Sequence, residues 1–66
     1  MNCFGYHWID DATVESTEGM VSYEKFIEWF KDSYERTFHM KPNANILDEL
    51  NNVGSVSVEN HVWFCN

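Results

Sequence analysis

The sequence predicts a single α+β domain over residues 1–66, in which a small antiparallel sheet packs against one long and one short helix. Three observations predict this class. An apolar stripe at helical spacing occupies the middle of the chain, and a shorter stripe follows it. Both ends of the chain alternate in the manner of strands. A chain this short has room for one core only.

The N-terminal third predicts one strand followed by a loop. Residues 2–9 are rich in aromatic side chains and alternate with period two, which is typical of a strand. Residues 10–20 are polar and acidic and contain a glycine, and they predict a loop.

The long helix is predicted over residues 22–39. Ser22 is a suitable N-cap, and Glu24 lies in the first turn, where the helix dipole favours a negative charge. Pro42 disfavours a helical conformation at the residue before it, so the helix should end near residue 40. Six apolar residues recur at helical spacing and form one stripe: Tyr23, Phe26, Ile27, Phe30, Tyr34 and Phe38.

The short helix is predicted between Pro42 and Gly54. Asn43 or Asn45 could cap its N-terminus, and Gly54 stands where a C-terminal glycine belongs. Its apolar side consists of Ile46, Leu47, Leu50 and Val53.

The tail, residues 55–65, alternates as a strand. It forms either one long strand or a hairpin with its turn at Glu59–Asn60. Antiparallel pairing with the N-terminal strand places Cys3 opposite Cys65, and His7 then lies opposite His61.

This register assigns the two faces of the sheet. It predicts that Trp63 lies on the outer face, where its ring covers Gly5. The other face is largely apolar and is predicted to pack under the helices. The side chains predicted for that face are Phe4, Tyr6, Trp8, Val62 and Phe64, with Val56 and Val58 beyond them.

Two cysteines and two histidines resemble a zinc ligand set, in Cys3-x3-His7 and His61-x3-Cys65. On a strand, residues four apart are separated by ~13 Å, too far for one ion to bridge. We therefore predict neither a metal site nor a cofactor. A Cys3–Cys65 disulfide, a histidine pair that holds a stray metal, and ordinary surface residues remain as alternatives.

No motif indicates an enzyme, and no catalytic residue is predicted. The chain has no P-loop, no G-x-G-x-x-G and no H-E-x-x-H sequence. The acidic loop does not match a calcium-binding EF-hand, since Ser16 and Ser22 occupy the positions that require glycine and glutamate. A chain of 66 residues also has little room for a closed pocket.

The net charge of −7 is unevenly distributed along the chain. All four basic residues lie between Lys25 and Lys41, so direct binding to nucleic acid is not expected. An acidic surface suits a partner protein with a basic surface, or it serves solubility alone. The chain contains neither an apolar run of ~20 residues nor a visible secretion signal, so we expect no membrane contact and a cytoplasmic location with reduced thiols.

Partner binding is predicted to use acidic residues that have no base near them, together with exposed aromatic anchors. Eleven aromatic residues are more than a domain of this size can bury, and aromatic residues are common in binding hot spots. The predicted partner-binding residues are Asp10, Asp11, Glu15, Glu18, Trp29 and Trp63.

Two functions remain open at this point. In general character, a small acidic chain resembles phage-encoded inhibitors of host nucleic-acid enzymes, including anti-restriction and anti-CRISPR proteins. That resemblance rests on composition and implies that the chain occupies a basic nucleic-acid-binding site on a host enzyme. The alternative is a homodimer with a structural or regulatory role, in which two copies join the open edges of their sheets.

Overall fold

The computed structural model describes all 66 residues and confirms the α+β class. One antiparallel sheet has the strand order β3-β2-β6-β5, and β1 pairs with β4 beside it. Neither helix is long and apolar enough to cross a membrane. The elements are β1 (Asn2–Cys3), β2 (Gly5–Ile9), β3 (Ala12–Ser16), β4 (Val21–Ser22), α1 (Tyr23–Phe38), α2 (Ala44–Val53), β5 (Ser55–Val58) and β6 (His61–Cys65).

The loop predicted over residues 10–20 is wrong in its first half, because residues 12–16 form β3. A two-residue turn joins β2 to β3, and both of its residues have positive φ, 50° at Asp10 and 66° at Asp11. Tight hairpin turns require this conformation, which aspartate tolerates better than most residues. The register then shifts between His7 and Trp8, which leaves Val14 as the extra residue of a bulge in β3.

Both helices begin and end close to the predicted residues. The Ser22 side chain accepts a hydrogen bond from the Lys25 amide at 3.3 Å, and Asn43 accepts one from Ile46 at 2.9 Å. His39 and Gly54 end the two helices in the left-handed conformation, with φ of 58° and 85°. These caps satisfy backbone groups that a helix end leaves without partners.

The tail is a hairpin, with β5 and β6 joined at Glu59–Asn60. Val58 therefore lies opposite His61, and Val56 lies opposite Trp63. Residues opposite each other share a face of the sheet. The turn thus places both valines on the same face as Trp63.

The predicted register and the predicted faces are both wrong. β2 pairs with β6 so that Gly5 lies opposite Cys65 and His7 lies opposite Trp63, two residues away from the expected pairing. The helices cover the face that carries His7 and Trp63, which are 3% and 0% exposed. The core between the layers comprises Cys3, Phe26, Phe30, Tyr34, Leu50, Val56 and Trp63.

Gly5 is the reason that helix α1 can lie close to the sheet. A Cβ atom at this position would stand 2.6 Å from the Cδ1 atom of Phe26, whose side chain is fully buried. Real Cβ atoms essentially never approach another atom so closely. Phe26, and not Trp63 as expected, therefore fills the space above Gly5.

A disulfide joins Cys3 to Cys65, with their Cα atoms 5.6 Å apart. Beside it, the backbones of Phe4 and Asn66 exchange two hydrogen bonds, of 3.0 and 2.8 Å. The two ends of the chain are thus tied by backbone pairing and by a covalent bond.

Candidate protein-binding surface

Both helices pack on one face of the four-stranded sheet, and no element covers the other face. We call the uncovered aromatic and apolar row on the two central strands the open face; it consists of Phe4, Tyr6, Trp8, Val62 and Phe64. Tyr6 stacks on Phe64 with ring centroids 5.1 Å apart, and Trp8 meets the same ring edge-on at 4.9 Å. The rings therefore shield one another in part: Phe4 is 37% exposed, and the other four side chains are half-buried.

Hydroxyl side chains border the open face on both edge strands. Thr13 and Ser16 of β3 lie opposite Trp8 and Tyr6. On the other edge, Ser55 and Ser57 of β5 lie opposite the two β6 residues of the open face. An aromatic centre with a polar rim is the usual composition of a protein-binding surface.

The indole N–H of Trp8 is buried without a hydrogen-bond partner. It is the only buried side-chain nitrogen or oxygen atom of the protein that lacks a hydrogen-bond partner. An unsatisfied buried donor carries a free-energy cost, and such groups are rare in folded proteins. Because Trp8 belongs to the open face, the unpaired donor lies on that side of the sheet and not in the core between the layers.

Three carboxylates lie together at one end of the sheet, which we call the acidic end: Asp10, Asp11 and Glu59. They belong to the two hairpin turns, and the Asp10 amide donates a hydrogen bond to the Asn60 carbonyl at 3.4 Å. All three side chains are exposed and make no ion pair. Two of the predicted partner-binding residues, Asp10 and Asp11, are therefore free to meet a partner.

Glu18 is also exposed, but it lies in the connection after β3, at the opposite end of that strand. A strand rises by ~3.3 Å per residue, which separates Glu18 from Asp11 by roughly 20 Å. The four predicted carboxylates thus do not form one patch.

Glu15 faces the helices and belongs to a polar network between the layers. One carboxylate oxygen accepts hydrogen bonds from the Ser33 hydroxyl and from His7 Nδ1, the latter at 3.1 Å. The other oxygen pairs with Arg36 Nη2, also at 3.1 Å. Its role in this fold is to join β3 to β2 and α1, and both oxygens are already engaged.

The network continues to Trp63 and His61. The Trp63 indole donates to Ser33 Oγ at 2.9 Å, and His7 Nε2 lies 2.8 Å from His61 Nδ1. Because an ionised carboxylate only accepts, His7 donates through Nδ1 to Glu15. Its Nε2 atom then accepts from His61 while both rings are neutral.

Burial and hydrogen bonding shift two pKa values in this network. Burial of the ring lowers the pKa of His7, and the neighbouring Glu15 carboxylate only partly opposes that change. Burial alone would raise the pKa of Glu15, but hydrogen bonds from Ser33, Arg36 and His7 outweigh it and lower the pKa. Both shifts favour the state in which His7 is neutral and Glu15 is charged.

The network presents no reactive hydroxyl to solvent. Ser33 is 0% exposed, and its hydroxyl is engaged both as donor and as acceptor. A serine nucleophile instead needs a base that accepts its proton and a substrate within reach. No group of three or more His, Cys, Asp or Glu side chains is placed to hold a metal ion. His7 and His61, which the sequence left open as a pair that could hold a stray metal, are hydrogen-bonded to each other.

The two tryptophans predicted as anchors lie in different environments. Trp63 is fully buried beneath α1, with its ring 4.2 Å from that of His7 and 5.5 Å from that of Phe30, so its predicted exposure is wrong. Trp29 is half-buried beside Phe26 and lines a shallow groove with Glu18. Trp8 on the open face is an aromatic surface residue that the sequence reasoning assigned to the core. The alternation of aromatic residues at Phe4, Tyr6 and Trp8 indicates that these side chains share one face of a strand. The prediction that this face packs under the helices was wrong.

The basic side chains are confined to the helical layer. Three of the four lie on α1, and Lys41 follows that helix directly. The sheet and its turns carry neither Lys nor Arg. The five acids on this side of the molecule are Asp10, Asp11, Glu15, Glu18 and Glu59.

Comparison with families of known proteins, with curated proteins and with solved structures gives no match to this chain.

Proposed function

We propose that this chain acts by binding another protein and not by catalysis, and that the open face is its contact surface. The single observation that supports this most strongly is the aromatic row on an uncovered sheet face. A contiguous apolar patch with a polar rim is a common mark of an interaction surface. Aromatic side chains supply much of the binding energy in such surfaces.

Charge complementarity defines the chemistry of the proposed partner. The sheet side carries acids but neither Lys nor Arg, and the acidic end borders the open face directly. A partner that places Lys or Arg against these turns, with an apolar patch beside them, fits both features. We therefore propose that the partner is a protein with a basic surface.

A basic nucleic-acid-binding site on an enzyme is the partner surface that we propose in particular. Such sites concentrate Lys and Arg because they bind phosphates. A chain that occupies one would inhibit its owner by excluding the nucleic acid. We propose that this encounter takes place in the cytoplasm.

The test is a capture experiment with the tagged chain in host lysate, followed by mass spectrometry and binding assays on each captured protein. The first variant combines Asp10→Asn, Asp11→Asn, Glu18→Gln and Glu59→Asn, which removes four acids from the sheet side. Asparagine is chosen at the turns because it tolerates positive φ. The matched control removes four acids from the helical layer through Glu24→Gln, Glu28→Gln, Asp48→Asn and Glu49→Gln.

We expect the sheet-side variant to lose affinity at least about tenfold, while the control variant, which has the same net charge, retains it. DNA added to the wild-type complex should displace the chain from its partner. Equal losses in both variants would mean that net charge alone drives binding and would refute the proposed surface. Displacement by salt but not by DNA would refute occupation of a nucleic-acid site.

A further inference from the structure

We propose that strand β5 is a docking edge for a second copy of this chain, which pairs with it antiparallel and extends the sheet to eight strands. The seam would use the backbone edge of β5, whereas the proposed partner would contact side chains of the open face, so the two contacts do not require each other. This proposal rests on the hydrogen-bonding groups of β5, on the contrast with the other edge strand, and on the charges near each edge.

The alternation of hydrogen bonds in the β5–β6 hairpin identifies the unpaired groups. In a hairpin with a two-residue turn, the pair next to the turn is hydrogen-bonded, and every second pair after it is too. Val58 and Val56 therefore bond to β6, in agreement with the 3.0 Å bond from the Cys65 amide to the Gly54 carbonyl. The N–H and C=O groups of Ser55 and Ser57 point away from β6. No other strand pairs with them.

The two edges of the sheet differ in their protection. Edge strands are usually kept from pairing with other chains by bulges, charges or proline. β3 has such protection, with the bulge at Val14 and the charged Glu15. β5 has the sequence Ser-Val-Ser-Val, with none of the three. The residue directly before Gly54 and β5 is Val53, which is 70% exposed.

A symmetric pairing satisfies every outward group of β5. If Val56 lies opposite Val56 of the second copy, Ser55 of each copy lies opposite Ser57 of the other. Both of these pairs are hydrogen-bonded pairs, so the seam contains four backbone hydrogen bonds. The side chains of opposite residues share a face, and the open faces of the two copies therefore lie on the same side of the joined sheet.

This register also separates the acids nearest the seam. Glu59 of one copy lies level with residue 53 of the other, so the two Glu59 carboxylates are roughly 20 Å apart. Exposed charges at that separation are largely screened at physiological salt. The strand itself carries no charge, which makes an uncharged, self-complementary occupant a better match than a basic strand. The overall charge of −7 on each copy still opposes association at low salt.

The first measurement is amide hydrogen exchange by NMR on the wild-type chain over a range of concentrations, together with sedimentation velocity. We expect the mass to rise from 7.8 kDa to twice that value, and the rise to occur at lower protein concentration when salt is added. The amides of Ser55 and Ser57 should gain protection as the dimer forms. Those of Val56 and Val58 should be protected at every concentration, because they already bond to β6.

Ser57→Pro tests the seam directly. Proline removes the outward N–H of Ser57 but no bond to β6, and edge strands tolerate it. Because two of the four seam bonds are lost, we expect the dimer dissociation constant to rise at least tenfold. Thr13→Pro is the matched change on the other edge strand, β3. Thr13 belongs to the second pair from the turn, so its amide also points away from the neighbouring strand. This variant should leave the dimer intact. Ser57→Lys, which keeps the amide and adds an edge charge, should weaken the dimer as well.

A chain that stays monomeric at every soluble concentration, at high salt as well, would overturn the inference. So would a dimer in which the Ser55 and Ser57 amides gain no protection, since its seam would lie elsewhere. If the dimer forms and no basic partner is captured, the proposed function fails and this inference stands.

Discussion

Reduction of the Cys3–Cys65 disulfide should lower the free energy of unfolding by about 4 kcal/mol. The bond closes a loop between residues separated by 62 positions, which is nearly the whole chain. A crosslink of this length removes much of the conformational entropy of the unfolded chain, and the loop-closure relation gives about 4 kcal/mol for it. The effect acts on the unfolded state, so it is not made redundant by the backbone pairing of Phe4 with Asn66.

That loss is large for a domain of this size. A stability of 0.05–0.15 kcal/mol per residue gives roughly 3–10 kcal/mol for the whole chain. The oxidised protein should therefore unfold at much higher urea than the reduced protein. Cys3 is 3% exposed, so reduction should be carried out in denaturant and the chain refolded with reductant present.

Urea unfolding of the oxidised and reduced forms at pH 7, followed by tryptophan fluorescence, measures the difference. Trp63 is a suitable reporter because it is fully buried in the native state. The double variant Cys3→Ala, Cys65→Ala provides a second, permanently unlinked form. A difference below about 1 kcal/mol between oxidised and reduced protein would refute the entropic argument.

The same measurement bears on the proposed cytoplasmic location. Cytosolic thiols are kept reduced, so the protein would work there without this bond. Function in the cytoplasm therefore requires that the core and the sheet alone keep the reduced chain folded. A reduced chain that is unfolded at 37 °C would instead place the protein in an oxidising compartment.

Two further predictions concern the contact between the sheet and α1. Gly5→Ala should cost about 2–3 kcal/mol, since the new methyl group would displace the buried Phe26 ring, and a matched Ser16→Ala change on the exposed edge should cost little. Equal melting temperatures for the two variants would contradict this. Stability should also fall as the pH is lowered below 6.5, the ordinary value for histidine, because the pKa of His7 is lower in the folded state and the unfolded chain takes up its proton first. The lowered pKa of Glu15 should add a second loss below its ordinary value of 4.5. Urea unfolding between about pH 2 and pH 8, with an NMR titration of His7, would measure both, and a stability that does not change between pH 5 and 7 would disprove the first.

Local signals in the sequence were sufficient for the helices. Ser22 and Gly54 cap them as predicted, Asn43 is the one of the two candidate asparagines that caps α2, and the apolar stripe of α1 provides Phe26 and Phe30 to the core. Capping and periodicity depend on neighbours within one or two turns, so they can be read without knowledge of the tertiary fold. The strand β3 was missed because its polar residues lie on an exposed edge, where little apolar patterning is required.

The faces of the sheet could not be predicted from hydrophobicity alone. The largely apolar character of the face with Tyr6 and Trp8 favoured it over the face with Gly5 and His7. In the folded protein Gly5 provides room for a helix side chain, while Glu15 and other groups satisfy the polar atoms of His7. Both effects depend on partners that are distant in sequence. Because the two faces were exchanged in the prediction, the residues of the open face were expected in the core and were not among the predicted partner-binding residues.

The confinement of the bases to the helical layer has a consequence for how the protein moves in solution. The helical layer carries all four cations together with six of the eleven acids, whereas the sheet side carries the other five acids without Lys or Arg, so the molecule has a permanent dipole moment that points from the sheet towards α1. A positively charged body that approaches will exert a torque on this dipole and turn the sheet towards itself before contact. The orientation is thus partly selected during diffusion, and the association rate constant should decrease with ionic strength much more steeply than the dissociation rate constant.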